Sequence, residues 1–553
     1  MRLLLPLIVL LTACTPDSEI DVGDANTNDE RPNILLIVAD DMGYSDIGAY
    51  GGEIATPNLD DLAANGLTLT NFYTGPTCSV TRAMLISGQD NHIAGLGNMA
   101  ETLADNQLGL PGYEGHLNDR VETIAEVLKS AGYQTYMAGK WHLGMQPEQS
   151  PHRRGFDQTF ALLYGGASHF ADMTGPDKHR DPALYRENGQ LVSELPEDFF
   201  STTFYTDRTI SQIDSGIDSG KPFFAFLSYT APHWPLQVPD YYRDKYQGRY
   251  DAGYDAIRSQ RLAQQKRLGL LPETLVEPPR PGNIEAWEEL DPEMREFHAR
   301  NMELYAAMVD HMDMSIGRVI EFLDDRGELD NTIIVFMSDN GADPWDYDHS
   351  PPAVGQYAKT FDNSPENRGR AGSFVFYGAQ WAHVSNTPFT RYKGSSYQGG
   401  IRSPLIVHWP ARAPAGRVSA ALTYVTDLFP TFTDAAGAEA TASPGRSLVP
   451  LVLGKTGHIR DDSETIGLEV WGKRGVVGQR YKLVSSPKKP HGQADWELYD
   501  LWVDPSEQRN LAAEQPEVLA RMLQAWESYQ AQYNVVLPEG EFKVRPVGEI
   551  PAE

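Results

Sequence analysis

The chain holds two cysteines, and only one is placed to do chemistry. Cys78 stands in Thr77-Cys78-Ser79-Val80-Thr81-Arg82, with an arginine one helical turn on, while Cys14 ends an N-terminal leader and leaves Cys78 without a disulfide partner. A free cysteine is most often a small buried hydrophobe. The polar residues elsewhere point to a nucleophile instead. Asp40-Asp41 and Asp339-Asn340 supply hard oxygen donors suited to calcium or magnesium, and no Cys/His spacing suits zinc. Lys140, His142, His233 and Lys393, with Arg82, supply positive charge and proton donors for an oxyanion. Taken singly, an Asp-Asp or Asp-Asn-Gly step is a turn or a helix cap, and a lone cation is a solvated surface residue. Taken together, a metal flanked by cations is machinery for hydrolysing a sulfate or phosphate ester.

Apolar runs without polar alternation lead to these residues. Residues 33–39 end in Asp40-Asp41, 134–139 in Lys140-Trp141-His142, and 332–338 in Asp339-Asn340-Gly341, while 222–229 run into Ala231-Pro232-His233. Such runs are typical of parallel strands covered on both faces. Helical patterns lie between them, over 58–66, over 79–88 with Cys78 at its start, over 121–131, and over 295–326. The last has Leu304, Met308, Met312, Ile316, Val319 and Leu323 on one face. The alternation predicts an α/β sandwich, in which ligands bind beyond the carboxyl ends of the strands. Each polar cluster sits at such an end, so the clusters are expected to converge on one cleft.

A chain of 553 residues exceeds what a single core usually holds. The organisation predicted is a leader over 1–14, a flexible tether over 15–30, a main domain over 31–462 and a smaller one over 463–553. Short strands at 463–471, 474–478, 481–485 and 496–499 precede a helix at 514–533, with Val518, Leu519, Met522, Leu523 and Trp526 facing inward. In the leader, the apolar run over 3–11 is too short to span a bilayer. Its end, Leu11-Thr12-Ala13-Cys14, resembles the lipobox of bacterial lipoproteins, which implies a lipid on Cys14 and a periplasmic or cell-surface location. Thr15 after the cysteine resembles lipoproteins that go on to the outer membrane. A net charge of -30 argues against nucleic acid as a partner.

Residues 76–100, with Thr77-Cys78-Ser79-Val80-Thr81-Arg82-Ala83-Met84-Leu85 and His92-Ile93-Ala94-Gly95, closely resemble the signature of type I sulfatases, particularly the bacterial arylsulfatases. The resemblance extends through Ala138-Gly139-Lys140-Trp141-His142, Ala231-Pro232-His233-Trp234, Ser338-Asp339-Asn340-Gly341, Arg391-Tyr392-Lys393-Gly394 and Leu498-Tyr499-Asp500, and so covers nearly everything after the tether. It implies an alkaline-phosphatase-like α/β sandwich, with a large mostly parallel central sheet and a smaller C-terminal α+β domain carrying a short antiparallel sheet. The activity implied is hydrolysis of sulfate monoesters. Asp40, Asp41, Asp339 and Asn340 would bind one calcium ion together with residue 78. That residue is, in the family, a cysteine converted to formylglycine by a dedicated generating enzyme. Its aldehyde hydrates to a diol, one oxygen of which would attack sulfur. Arg82 and Lys140 would hold the diol, Lys393 and His233 would bind the sulfate and assist the leaving alcohol or phenol, and His142 would take the proton of the second hydroxyl. A hemiacetal sulfate can collapse by C–O cleavage, an exit that a serine sulfate lacks.

One position departs from the pattern. The generating enzyme for cysteine-type sulfatases reads Cys-x-Pro-x-Arg, and Val80 stands at the place of the proline. An unconverted thiol would set a soft sulfur against a hard cation, a poor match. Two alternatives therefore stay open: a phosphate or phosphonate ester hydrolase using unmodified Cys78, and a lipid-anchored binder of sulfated or phosphorylated ligands without turnover. Aromatic-rich segments across 169–207, 234–292 and 345–381 are expected to shape the pocket; the resemblance favours small aryl sulfates, with sulfated carbohydrate the main competitor, and the residues themselves do not say which group leaves.

Overall fold

Seven consecutive residues without polar alternation, Asn33–Ala39, form strand β1 of a computed structural model that describes residues 31–547. The leader, Cys14 and the segment 15–30 lie outside the described residues. Both faces of β1 are buried, Leu35, Ile37 and Ala39 entering one apolar core and Ile34, Leu36 and Val38 another. A strand sandwiched this way has no use for a polar face, which explains its continuous apolar run.

Ten further strands complete the same sheet. In chain order they are β2 (Leu67–Tyr73), β3 (Gln134–Lys140), β4 (Gln158–Leu162), β5 (Tyr185–Glu187), β6 (Gln190–Val192) and β7 (Phe223–Ser228). The remainder are β8 (Thr332–Ser338), β9 (Arg402–His408), β10 (Arg417–Ser419) and β11 (Thr423–Tyr424). Their spatial order is β10-β2-β9-β8-β1-β7-β3-β4-β5-β6, with β11 also on β2. The central strands β8, β1, β7, β3 and β4 are parallel, whereas β9 runs antiparallel to both β8 and β2. The sheet is thus large, mixed and mostly parallel, as the sequence predicts.

The 34-residue helix Pro292–Asp325 covers one face. Asp291 caps it by accepting from the Met294 N–H, and Leu304, Met308, Met312, Ile316, Val319 and Leu323 all enter the core. The second sheet is a four-stranded antiparallel meander, β12 (Thr465–Val470), β13 (Lys473–Gly478), β14 (Tyr481–Ser485) and β15 (Glu497–Asp500). The helix Pro516–Gln532 packs on it through Met522, Trp526 and Tyr529, with Val518, Leu519 and Leu523 half-buried in the same cluster. Among the described residues, no helix is long and apolar enough to cross a membrane.

Parallel register brings the strand ends flush. Ala39 pairs with Ser338, and Ser228 pairs with both Val38 and Gly139, so the residues that follow emerge side by side. Asp40-Asp41 leave β1, Asp339-Asn340 leave β8, Lys140 is the last residue of β3, and β7 leads to His233.

Candidate active site

The helix Cys78–Ser87 begins after an extended Thr77 and stops at Gly88, whose φ of 63° is a conformation that suits glycine. A Cβ at Gly88 would also lie 2.5 Å from Phe429, so the stop is set by packing as well. Every residue of this helix is buried, Val80, Ala83, Met84, Leu85 and Ile86 in the apolar core. Cys78 and Arg82, four residues apart, share its other face. Cys78 is the first helical residue and lies at the positive end of the helix dipole. Its Sγ is 3.4 Å from Asp40 Oδ1 and 3.5 Å from Asp41 Oδ1.

Cations surround these carboxylates. Lys140 Nζ donates to Asp40 Oδ2 at 2.6 Å, and Lys393 Nζ donates to Asp41 Oδ2 at 2.7 Å while lying 3.0 Å from Asp343 Oδ2. Arg82 is committed to positioning: Nε donates to Asp339 Oδ2 at 2.9 Å, and Nη1 donates to Ser228 Oγ and to the Lys140 carbonyl. Its Nη2 has no hydrogen-bond partner and lies 3.8 Å from Asp40. Asp339 Oδ1 accepts from the Asp41 N–H, which holds Asp41 in a left-handed conformation at φ 63°. His233 Nε2 lies 3.4 Å from Asp41 Oδ2. Its Nδ1 faces the Trp234 carbonyl at 2.6 Å and therefore carries the proton, leaving Nε2 as an acceptor.

Burial dominates the electrostatics. It pushes Asp40 up to about 7, Lys140 opposing the rise and Asp339 and Asp41 adding to it. Burial, then Asp41, holds the Cys78 thiol well above its usual range. Burial, then Lys393 and Lys140, holds His233 neutral, well below the usual imidazole range. Lys393 goes the other way, because Asp41 and Asp343 outweigh its burial and keep it charged.

The oxygen donors of Asp40, Asp41 and Asn340 form a cluster that could hold a metal ion. Ligand atoms of Asp40, Asp41, Cys78 and His233 lie within 4.8 Å of one another. Asn340 Nδ2 donates to Asp41 Oδ1 at 2.6 Å, and its buried Oδ1 has no partner. Crowded, desolvated carboxylates beside an orphaned amide oxygen are what a divalent ion would satisfy. His233 enters this cluster although the sequence reading set it on the sulfate side, and Asp339 is held at the edge by Arg82 and the Asp41 N–H.

His142 stands apart from the other expected residues. Its Nε2 faces Glu101 at 3.5 Å, its Nδ1 has no partner, and it lines a small pocket with Ser79, Tyr164 and Arg180. Burial lowers it to about 4 against the pull of Glu101. Glu101 is held well below the carboxylate range by Arg180 despite its burial. Glu101, Arg180, Ser228 and Asp343 were not read from the sequence. Asp343 lies two residues beyond Gly341 and could have been found as a continuation of that motif, whereas Glu101 and Arg180 carry no local signal. The aromatic segments partly do what was expected: Trp234 and Trp345 stack with centroids 5.7 Å apart beside His233, over Phe374 and Phe376.

Comparison with known proteins agrees with this geometry. Residues 32–438 match the family profile described as Sulfatase, and residues 392–532 match that described as N-sulphoglucosamine sulphohydrolase, C-terminal. A protein named an uncharacterized sulfatase, from Schizosaccharomyces pombe, is 42% identical over 540 residues, which cover 94% of this chain and 97% of that one. An arylsulfatase of Klebsiella aerogenes is 42% identical over 433 residues, covering 77% of this chain and 91% of its own. The crystal structure of Ps i-CgsB in complex with k-i-k-neocarrahexaose superposes with a TM-score of 0.66 at 25% identity, over 92% of this chain and 95% of that one.

Proposed function

The chain belongs to the sulfatase family and is a sulfuric ester hydrolase, and on that premise we propose that it works through a formylglycine made from Cys78 and a calcium ion held by Asp40, Asp41, Asp339 and Asn340. The observation that carries this reading is the seat of Cys78, at a helix N-terminus and against two carboxylates that are themselves bridged to Lys140 and Lys393. A structural cysteine needs none of that. The hydrated aldehyde supplies the nucleophilic oxygen and its own exit, and the hard cation supplies charge stabilisation where sulfur(VI) is attacked.

The residues of the chain do the rest. Lys393, kept charged by Asp41 and Asp343, holds a sulfate oxygen at the mouth of the site. Lys140 and Arg82 offset the carboxylates, and Arg82 has a single free N–H pair, on Nη2, to offer residue 78. His233 is neutral with a bare Nε2, so it accepts and relays a proton instead of adding charge. His142, also neutral near pH 7, would serve as the base for residue 78 through its unpartnered Nδ1, with Glu101 facing its Nε2.

Two further expectations enter as proposals. Cys14 carries the lipid that anchors the enzyme at a bacterial envelope, and the generating enzyme accepts Val80 in place of proline. Val80 is the third helical residue, inside the first turn, where a proline is tolerated. The deciding experiment is mass spectrometry of the peptide spanning residue 78, from the native protein and from Val80→Pro, alongside hydrolysis of 4-nitrophenyl sulfate. An aldehyde-trappable peptide lighter than the cysteine form is expected, with a larger converted fraction in Val80→Pro. An unmodified thiol in fully active protein would overturn the formylglycine reading, and turnover confined to phosphate esters would favour the hydrolase alternative.

A further inference from the structure

Two adjoining clefts open beside Lys393, of about 850 and 770 Å³, and they share Asn283, Tyr392, Lys393 and Lys473. Both are far larger than a phenyl ring needs. The tip of the β12–β13 hairpin forms their common edge. Val470 pairs with Lys473, and the two residues between them, Trp471 and Gly472, have φ of 58° and 81°. This is the left-handed pair of a type I′ turn, a place for Asn-Gly and not for a bulky aromatic. A strained tryptophan persists only where its surroundings hold it, and such strain gathers at functional sites. Trp471 is pinned twice: Nε1 donates to Thr102 Oγ1 at 2.9 Å, and the ring lies so close over Gly394 that a Cβ there would meet it at 2.7 Å. Gly394 in turn donates to the Pro76 carbonyl at 2.7 Å, two residues before Cys78. The hairpin tip is therefore referenced to the segment before Cys78 through two successive contacts, Trp471 on Gly394 and Gly394 on Pro76.

The charges at this tip are unbalanced in a chain whose net charge is -30. Among the described residues, neither Lys473 nor Arg391 forms an ion pair with a carboxylate. Lys473 Nζ donates to the Gly394 carbonyl and lies 5.7 Å from the Trp471 ring centroid, and Arg391, at φ 64°, lies over Tyr397 at 5.6 Å. The acids that line the clefts are engaged elsewhere. Glu507 takes Lys482 and the Gln398 N–H, Glu497 takes the hydroxyls of Tyr397 and Tyr499, and Asp346 takes His349. Burial, then Arg391, lowers Lys473 to about 8, as expected for two cations facing one space with no anion between them. Asn283, Ser395 and Gln508 add hydroxyl-binding groups along the same walls.

We propose that the β12–β13 hairpin tip, with Arg391, forms a second anion subsite that selects sulfate esters whose leaving group is a saccharide bearing a further sulfate or carboxylate. The proposal rests on the sulfatase reading for the position of the cleaved sulfate at Lys393. Lys473 and Arg391 hold the second anion, and Trp471 supplies an apolar face to the sugar ring.

The test reads binding, so that a chain hydrolysing no sulfate ester would still answer it. Cys78→Ala protein, full length and with calcium, is titrated calorimetrically with a monosulfated disaccharide and with its disulfated counterpart. Tenfold or tighter binding of the disulfated probe is expected. Lys473→Met and Arg391→Gln should each reduce that preference to within about threefold, and Lys473→Arg, which keeps the charge, should retain it. Equal affinity for the two probes, or a preference that survives in the Lys473→Met/Arg391→Gln double variant, would overturn the subsite. A catalytic failure alone, with the preference intact, would count against the formylglycine reading and leave the subsite supported.

Discussion

Two buried polar clusters in this chain both set carboxylates against positively charged or proton-donating groups, and they behave in opposite ways. In the crevice at the strand ends, burial outweighs pairing at Asp40, which is pushed up to about 7 although Lys140 touches it, and Arg82 Nη2 and Asn340 Oδ1 have no partners. At the seam between the two sheets, pairing outweighs burial. His92 Nδ1 meets Asp90 at 2.8 Å, its Nε2 meets Glu469 of β12 at 3.3 Å, and Tyr529 of the C-terminal helix donates to Asp90 at 2.9 Å. There the two carboxylates raise His92 to about 9 against its desolvation. A cluster that satisfies itself holds the fold together, whereas one left with orphaned atoms and uneasy charges is completed by something from outside.

Variants can break this contrast. The largest effect is expected from Cys78→Ala, which should lower sulfate-ester turnover by roughly 10⁴-fold or more while leaving the melting temperature close to that of the parent. With calcium as the proposed ion, the parent is expected to gain about 4 kcal/mol at a thousandfold excess over Kd, and Asp40→Ala should abolish that gain. Differential scanning calorimetry with calcium and with chelator separates the two, and a gain that persists in Asp40→Ala would put the ion elsewhere. At the seam, Glu469→Ala should cost about 3–5 kcal/mol with or without calcium, because it leaves a buried imidazolium half-paired. Urea unfolding that showed calcium-dependent loss in this variant would erase the distinction between the clusters.

A smaller effect follows from pH. His92 has a folded pKa of about 9, above the ~6.5 of an unfolded histidine, so its contribution is fully present below about pH 6.5 and is lost as pH rises through 9. The loss is on the order of 3 kcal/mol, read as a falling urea midpoint between those limits that flattens in His92→Gln. The smallest is Tyr529→Phe, which removes one hydrogen bond to Asp90 and should cost about 1 kcal/mol.

Much of the site was legible because parallel strands buried on both faces leave an unbroken apolar signal with a polar residue at the end. The strands leading to Asp40, Lys140, His233 and Asp339 could be read that way. Strands β2 and β9 could not, since Leu67–Tyr73 interleaves threonine and asparagine with apolar residues and Arg402–His408 opens with Arg, Ser and Pro. Their stability comes from pairing with each other and with β8, which no local pattern records. Glu101 and Arg180 escaped for the same reason: Glu101 meets His142, and Arg180 meets Glu101, from segments far apart in the chain. The turn at Trp471 was read as the end of a strand, because nothing in the residue type announces a left-handed tryptophan.

Residue chemistry and spacing by themselves determined the α/β class and singled out the candidate nucleophile, oxygen donors and cations, since each is carried by a short run of neighbours. Tertiary structure alone decided how those groups divide their work. It turned Arg82 into a brace for Asp339, drew His233 in beside Asp41, set His142 against Glu101, and brought Lys473 from the second sheet to the mouth of the cleft. Ligand selection and protonation depend on what faces a group across space and on how much water it keeps, and both are fixed only when distant segments pack.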